Sequence, residues 1–445
     1  MSRLSQLLRS VGSVCLWLLV IGIAGAQAQS ASGSPDSAAM TERVQQLEKE
    51  LADLKSEIAA MKSSSASPTA PAAAVPANAA VATTAAPAAA PADSKSGLAA
   101  LLGPTSFSGF VDVYYGQNFN NPADRLNNLR FFDGSTNQFG LNMIELVVDK
   151  QPDPTNSRTG YHIALGYGQA MNAIYGASTS GTLSADQYVK EAYFSYLAPL
   201  GKGLQIDVGK FVTPAGAEVI ETKDDFNYTR GLLFYYAIPY YHFGMRAKYA
   251  FNSKYSLTGY FVNGWNDVID NNSGKTYGAS FAWTPNGKFS LAQTYLAGPE
   301  TTNDNSNWRH LVDTVATITA TKKLTLMANY DYGIGDHIPG VAPAVWWTGI
   351  AAYTKYALND KYSFATRYEY FNDHYGFSTG TPGHIQEVTG TFEHPIATHI
   401  LTRLEFRHDE ANNPIFNKGT SELVKGQNTA TAGMVFIFDS REGGK

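Results

Sequence analysis

From about Thr105 to Phe438 the chain repeats short segments in which apolar and polar residues alternate, joined in turn by a tight link and a long polar one. Six tight links stand out: Leu200-Gly201-Lys202-Gly203, Asn252-Ser253-Lys254, Pro285-Asn286-Gly287-Lys288, Thr321-Lys322-Lys323, Asn359-Asp360-Lys361 and Glu393-His394-Pro395. Alternation with a period of two belongs to strands. Unpartnered backbone N–H and C=O groups are not tolerated in hydrocarbon, so strands that cross a bilayer must close into a barrel. Short turns at one rim and longer loops at the other reproduce the rhythm. The pattern therefore predicts an all-β fold, a transmembrane antiparallel up-and-down β-barrel over residues 105–438.

Strands are expected to begin near residues 106, 139, 160, 187, 203, 240, 255, 275, 288, 309, 322, 345, 361, 384, 399 and 428, about 16 in all. An even number returns both ends to the same side. A barrel of about 16 strands leaves an aqueous channel, whereas one of eight fills its interior with side chains. Between Ile400 and His408, Ile400, Thr402, Leu404 and Phe406 share one face and Leu401, Arg403, Glu405 and Arg407 the other. Tyr161, Ile163, Leu165 and Tyr167 oppose His162, Ala164 and Gly166 in the same way, and Tyr241, Phe243 and Met245 oppose His242, Gly244 and Arg246. Tyr114, Tyr115, Trp265, Trp346 and Trp347 are candidates for aromatic girdles at the membrane interfaces.

Residues 1–28 carry the marks of an export signal: Arg3 and Arg9, an apolar stretch from Val11 to Ala24, then Ala26-Gln27-Ala28. Cys15, the single cysteine, lies inside that stretch, so the mature chain is expected to form neither a disulfide nor a thiolate metal site. After the signal no apolar run reaches the ~20 residues of a spanning helix. Charged residues make up 16% of the chain, against about 25% in soluble domains. That deficit, with 26 tyrosines and 23 phenylalanines, suits a wall that faces lipid. A net charge of -5 is too mild to point to a nucleic-acid partner. The expected location is the bacterial outer membrane, with outer-membrane lipid around the wall and the segment before the barrel in the periplasm.

That segment divides in two. Over residues 40–62, Val44, Leu47, Leu51, Leu54, Ile58 and Met61 follow the 3-4-3-4-3 spacing of a coiled-coil seam, and charged residues cover the remaining faces. The seam predicts a helix that oligomerises; Val, Leu and Ile at its a positions do not fix the number of chains, a homotrimer being one state they allow, and a single helix resting on the barrel mouth is the alternative. Residues 63–104 form an Ala/Pro-rich linker. Its prolines block helix and leave an extended spacer with a reach on the order of 100 Å at ~3 Å per residue.

Charges on the polar face are the candidate pore-lining residues: Arg246 and Lys248, Arg367 and Glu369, then Arg403, Glu405 and Arg407, each at i, i+2 spacing, with Asp112 beside them. Asp112, Glu145 and Glu191 are weaker candidates, because their strands alternate less cleanly. These rungs either set a transverse field across a lumen or brace the wall by mutual ion pairs. Exchanging Arg403 and Arg407 for glutamate is expected to shift selectivity towards cations if they face water. The connection from Thr213 to Ile238 is too long for an idle hairpin loop and carries Glu218, Glu221, Asp224, Asp225 and Arg230. It is the candidate constriction loop, with a position on the outer rim as the alternative.

Asp267, Asp270, Asn271 and Asn272 offer oxygen ligands for calcium, but the spacing fits an exposed turn better than any known calcium loop. The histidines are scattered, and no metal or cofactor motif is present. Ser363 and His242 lie on separate predicted strands with nothing to join them, so no enzyme is expected.

The run Gly209-Lys210-Phe211-Val212-Thr213-Pro214-Ala215-Gly216-Ala217-Glu218 resembles the OmpL-like β-barrel porins, as do Tyr228-Thr229-Arg230-Gly231, Pro239, His242-Phe243-Gly244 and Asn263-Gly264-Trp265 with Asp270-Asn271-Asn272. Gly298-Pro299-Glu300 and Arg309-His310-Leu311-Val312-Asp313 extend the likeness over most of the barrel. The resemblance implies an outer-membrane channel without catalytic residues, giving passive diffusion of small hydrophilic solutes or ions. A non-conducting barrel that tethers the envelope through its N-terminal helix is the alternative. The end of the chain departs from the many barrels that finish on an aromatic, since Asp439 to Lys445 follow Phe438.

Overall fold

The computed structural model describes residue 49 and residues 103–178, 184–335 and 344–441. Apart from Lys49, Gly103 and Pro104, the expected signal, coiled coil and linker lie outside the described residues. The strands are β1 (Ser106–Asn118), β2 (Gln138–Lys150), β3 (Thr159–Tyr167), β4 (Val189–Ala198), β5 (Leu204–Val212) and β6 (Tyr241–Ala250). They continue as β7 (Tyr255–Val262), β8 (Thr276–Asn286), β9 (Phe289–Thr301), β10 (Asp304–Thr319), β11 (Leu324–Gly335) and β12 (Val345–Ala357). The series ends with β13 (Ser363–Asp373), β14 (Gly383–Ala397), β15 (Ile400–Ala411), the small hairpin β16 (Phe416–Lys418) and β17 (Glu422–Val424), and β18 (Gly426–Asp439). All except β16 and β17 join one closed antiparallel barrel of sixteen strands, in which each pairs with its neighbours in sequence and β18 lies between β15 and β1. The seam runs from Ser108 opposite Asp439 to Asn118 opposite Thr429.

Sixteen strands agree with the reading of the sequence. Their starts fall within two residues of expectation except in β10, which begins at Asp304 rather than 309. Asp304 to Asn307 extend a hairpin of polar residues with an irregular register, so no alternation announces them. One tight link was misplaced. β14 runs through Glu393, His394 and Pro395 to Ala397, and the turn falls at Thr398 and His399. Pro395 sits beside a shift of register at the strand end, where its missing N–H is tolerated.

The two faces separate as the alternation requires. On β15, Leu404 and Phe406 are more than half exposed, while Arg403, Glu405 and Arg407 point inward and are covered. On β3, Ile163, Leu165 and Tyr167 face out and Ala164 and Gly166 face in. Apolar side chains open to the outside are at home only in a lipid surround. The expected girdle needs correction. Neighbours in a strand point to opposite faces, so Tyr115 is outside while Tyr114 is inside and buried. Trp347 is likewise buried inside, edge-on to the buried Trp265 at 6.2 Å, and Trp346 stacks on His374 at 5.2 Å.

Two connections carry helices. Residues 168–188 hold α1 (Gln169–Gly176), whose Ala170, Met171 and Ile174 are buried. Residues 213–240 hold a 3-10 turn at Thr222–Asp224 and α2 (Leu232–Tyr236), all five residues of which are buried. Leu232 to Tyr241 contain no charged residue. Such a run resists solvation at a rim and is stable only against other apolar surface.

Candidate functional site

The 213–240 connection lies within the barrel. Arg367 of β13 reaches it with full hydrogen bonding: Nη1 donates to Glu218 Oε1 at 2.6 Å, and Nε to Glu387 Oε1 of β14 at 2.6 Å. Glu369, also on β13, accepts from the Leu232 N–H, and Glu218 accepts from the Gly231 N–H at 2.5 Å. From β15, Glu405 accepts from the N–H groups of Tyr228 (2.6 Å) and Thr229 (3.1 Å). Arg403 donates to the carbonyls of Thr222, Asp225 (2.7 Å) and Asn227 (3.2 Å), and Arg407 to that of Arg230 (2.6 Å). A buried guanidinium or carboxylate is tolerable only when such partners satisfy it. These five rungs are spent on holding the loop.

The same loop also reaches strands on the other side of the β18–β1 seam. Asp112 of β1 accepts from the Tyr228 hydroxyl at 2.7 Å, from Thr222 Oγ1 at 2.6 Å and from Asn142 Nδ2 at 2.5 Å. Glu221 pairs with Lys190 of β4, which also pairs with Glu145 of β2. Glu191 accepts from the Val212 N–H at 3.1 Å, where the loop begins. Within the loop, Asp225 accepts from the Val219 N–H at 2.9 Å and faces Arg230 at 3.9 Å. Burial holds the Asp225 carboxyl above its usual range, Glu218 pushes the same way and Arg230 opposes. Burial raises the Tyr228 hydroxyl as well, with Asp112 adding to the effect, so it stays a donor. Asp224, beside Lys223, is the partly open member of the acidic set.

Arg246 and Lys248 occupy different ground. The Arg246 guanidinium lies 4.8 Å from the Tyr193 ring centroid and 4.6 Å from that of Phe211, with Nε on Asp207 at 2.8 Å. Its side chain is 22% exposed, against 0–1% for Arg367, Arg403 and Arg407. Lys248 is half-buried on the same face, and its cross-strand partner Thr258, with Tyr260 and Ser280, continues a polar surface that the loop leaves uncovered.

Reading the sequence missed a second inserted connection. In residues 119–137, Arg130 donates to Asp133 (2.7 Å) and to Asp409 of β15 (2.8 Å), all three charged groups buried. Phe132 packs against Phe234 at 5.4 Å and under the Arg230 guanidinium at 4.9 Å, and the Tyr235 hydroxyl donates to Asp133 at 2.8 Å. The uncharged run of 232–241 was the signal available for this cluster. At the proposed calcium turn, Asp270 pairs with Lys275 and Asn272 Nδ2 donates to the Pro299 carbonyl at 3.0 Å. Among the described residues no group of three or more His, Cys, Asp or Glu has the spacing of a metal site. Ser363 donates to Glu393 at 3.0 Å and His242 bonds the Gly264 carbonyl at 2.9 Å, so each has a structural partner.

A barrel of about sixteen strands is wide enough to leave an aqueous channel. The anion-selective porin from Comamonas acidovorans superposes with a TM-score of 0.52 at 9% identity, over 75% of this chain and 99% of that one. The in-vitro folded OmpT, an outer membrane protein of Vibrio cholerae, in its trimer form, gives 0.50 at 13% identity, over 75% of this chain and 99% of that one. At these identities the likeness is one of fold. No curated protein matches the chain. The family described as Putative beta-barrel porin-2, OmpL-like, matches residues 104–438, and the chain belongs to it, an outer-membrane porin of the OmpL-like family.

Proposed function

We propose that the protein lets small hydrophilic solutes or ions diffuse passively through the part of the lumen between the inserted loop and strands β5 to β8. The observation that carries this reading is the contrast in exposure between Arg246 and the three arginines of β13 and β15. The loop is fastened to one arc, and the polar face opposite it stays open. Fixed charges beside a narrowed lumen favour some solutes over others, which gives Arg246, Lys248 and the edge residue Asp224 the pore-lining role. Glu218, Glu221, Asp225 and Arg230, with Asp112, Arg367, Glu369, Arg403, Glu405 and Arg407, set the position of the constriction instead. A barrel needs no catalytic group for this work. We also propose a homotrimer with its N-terminal helix and linker in the periplasm; OmpT of Vibrio cholerae has a trimer form, and the 44–61 seam offers a matching bundle.

The test is single-channel conductance of the folded protein in a planar bilayer, with and without residues 40–62. Steady ohmic steps, grouped in threes when the helix is present, are expected. A folded barrel that stays silent overturns the diffusion reading in favour of a tether.

A further inference from the structure

The short-turn rim carries a charge pattern that conduction does not use. Between β4 and β13 the short connections are residues 199–203, 251–254, 287–288, 320–323 and 358–362. Every one of them contains lysine: Lys202, Lys254, Lys288, Lys322 with Lys323, and Lys361. Their one carboxylate is Asp360. All six lysines are exposed. Lys202 Nζ donates to the Phe251 carbonyl at 2.7 Å and Lys323 Nζ to the Leu358 carbonyl at 3.3 Å, tying each turn to the next. The ammonium groups of Lys254, Lys288, Lys322 and Lys361 form no ion pair among the described residues. At the other rim Lys275 pairs with Asp270 and Lys418 with Glu422.

Height relative to the bilayer identifies the partner. Lipid-facing aromatics adjoin these turns: Tyr249 lies edge-on to Phe251 at 5.2 Å, Tyr255 stacks on Trp283 at 6.5 Å with an interplanar angle of 3°, and Trp283 meets Phe289 at 5.5 Å. Stacked aromatics of this kind settle at the level of the headgroups. A lysine directly beyond them reaches phosphate without leaving the interface. Short turns of outer-membrane barrels face the periplasm, so the crescent meets the inner leaflet. We propose that Lys254, Lys288, Lys322 and Lys361 bind the phosphates of anionic phospholipid in that leaflet, fixing the depth and tilt of the β4 to β13 arc. The site is independent of whether the lumen conducts.

The test uses the full chain folded in detergent micelles, with dioleoyl phosphatidylglycerol or dioleoyl phosphatidylcholine added and the bound lipids counted by native mass spectrometry. The wild type is expected to retain phosphatidylglycerol in preference to phosphatidylcholine. Each lysine changed to glutamine is expected to weaken that retention about fivefold, and Lys254→Gln, Lys288→Gln, Lys322→Gln and Lys361→Gln together should abolish the preference. The Lys275→Gln and Lys418→Gln pair at the loop rim should leave it intact. Heat-modifiable migration verifies the folded barrel, and the four single variants carry the test if the quadruple variant does not fold. Equal retention of both lipids by the wild type, an unaltered preference in the four-lysine variant and each single variant, or displacement of the lipid by an equal concentration of inorganic phosphate overturns the assignment.

Discussion

Arg367 and Glu218 meet at 2.6 Å across 149 residues of sequence, the first from the wall and the second from the inserted loop. Neither side chain is more than 3% exposed. The attraction between them offsets a desolvation cost of several kcal/mol per ion only because Glu387, Thr229 and Gly231 complete their hydrogen bonding. The pair makes the loop part of the wall.

Arg367→Met is therefore expected to leave Glu218 as an uncompensated buried charge, with Glu387 kept by Arg407 at 3.4 Å, and to cost about 3–5 kcal/mol. Urea unfolding in lipid vesicles measures the loss. A shift below about 0.5 kcal/mol contradicts the buried pair. The same variant should show noisier and larger conductance steps as the loop loosens.

Reversal potentials in a salt gradient separate the open arc from the closed one. Arg246→Glu or Lys248→Glu should move the potential towards cation selectivity with single-channel behaviour otherwise kept. Arg403→Glu with Arg407→Glu should instead unseat the loop, because these guanidiniums are held by its carbonyls and not by water. Equal, purely electrostatic shifts from both pairs would sink the distinction.

A Cβ added at Gly433 of β18 would overlap the Tyr228 ring, and one at Gly333 of β11 would overlap Trp347. Gly433→Ala should displace Tyr228 from Asp112, and Gly333→Ala should displace Trp347. Each is expected to cost about 1–3 kcal/mol by overpacking. Only the Gly333 substitution displaces an indole, so an emission change in Gly333→Ala with little change in Gly433→Ala is the fluorescence readout.

Leu404 and Glu405 are sequence neighbours on opposite faces of β15. Leu404→Arg, placed against lipid, should destabilise the barrel by about 2–4 kcal/mol if it lies near the midplane. Leu404→Phe should be tolerated. Refolding yields and urea midpoints in vesicles distinguish them, and equal midpoints would contradict the assignment of faces.

Strand number and facing were legible because a wall between lipid and water imposes a local pattern, as in the alternation of Leu404 and Phe406 with Arg403, Glu405 and Arg407. The length of the 213–240 connection singled out the loop. Its anchorage was not legible: whether Arg403 faces water or the Asp225 carbonyl, 178 residues away in sequence, depends on packing that periodicity does not encode. Arg130 and Asp133 gave no alternation because they belong to a loop. Pro395 misled because proline usually ends strands, and here a register shift accommodates it. Tyr114 and Trp347 misled because aromatic identity suggested an interface while parity placed them inside.

Tyr228 touches Asp112 on β1, lies against Gly433 on its neighbour β18 and donates its N–H to Glu405 on β15 beyond. More than 300 residues separate Asp112 from its partner Val435, so this seam joins the strands most distant in sequence. Tyr228 can hold Asp112 on one side of the seam and Glu405 on the other only when the two strands are paired. The loop thus latches the closed sheet from within, across its own seam.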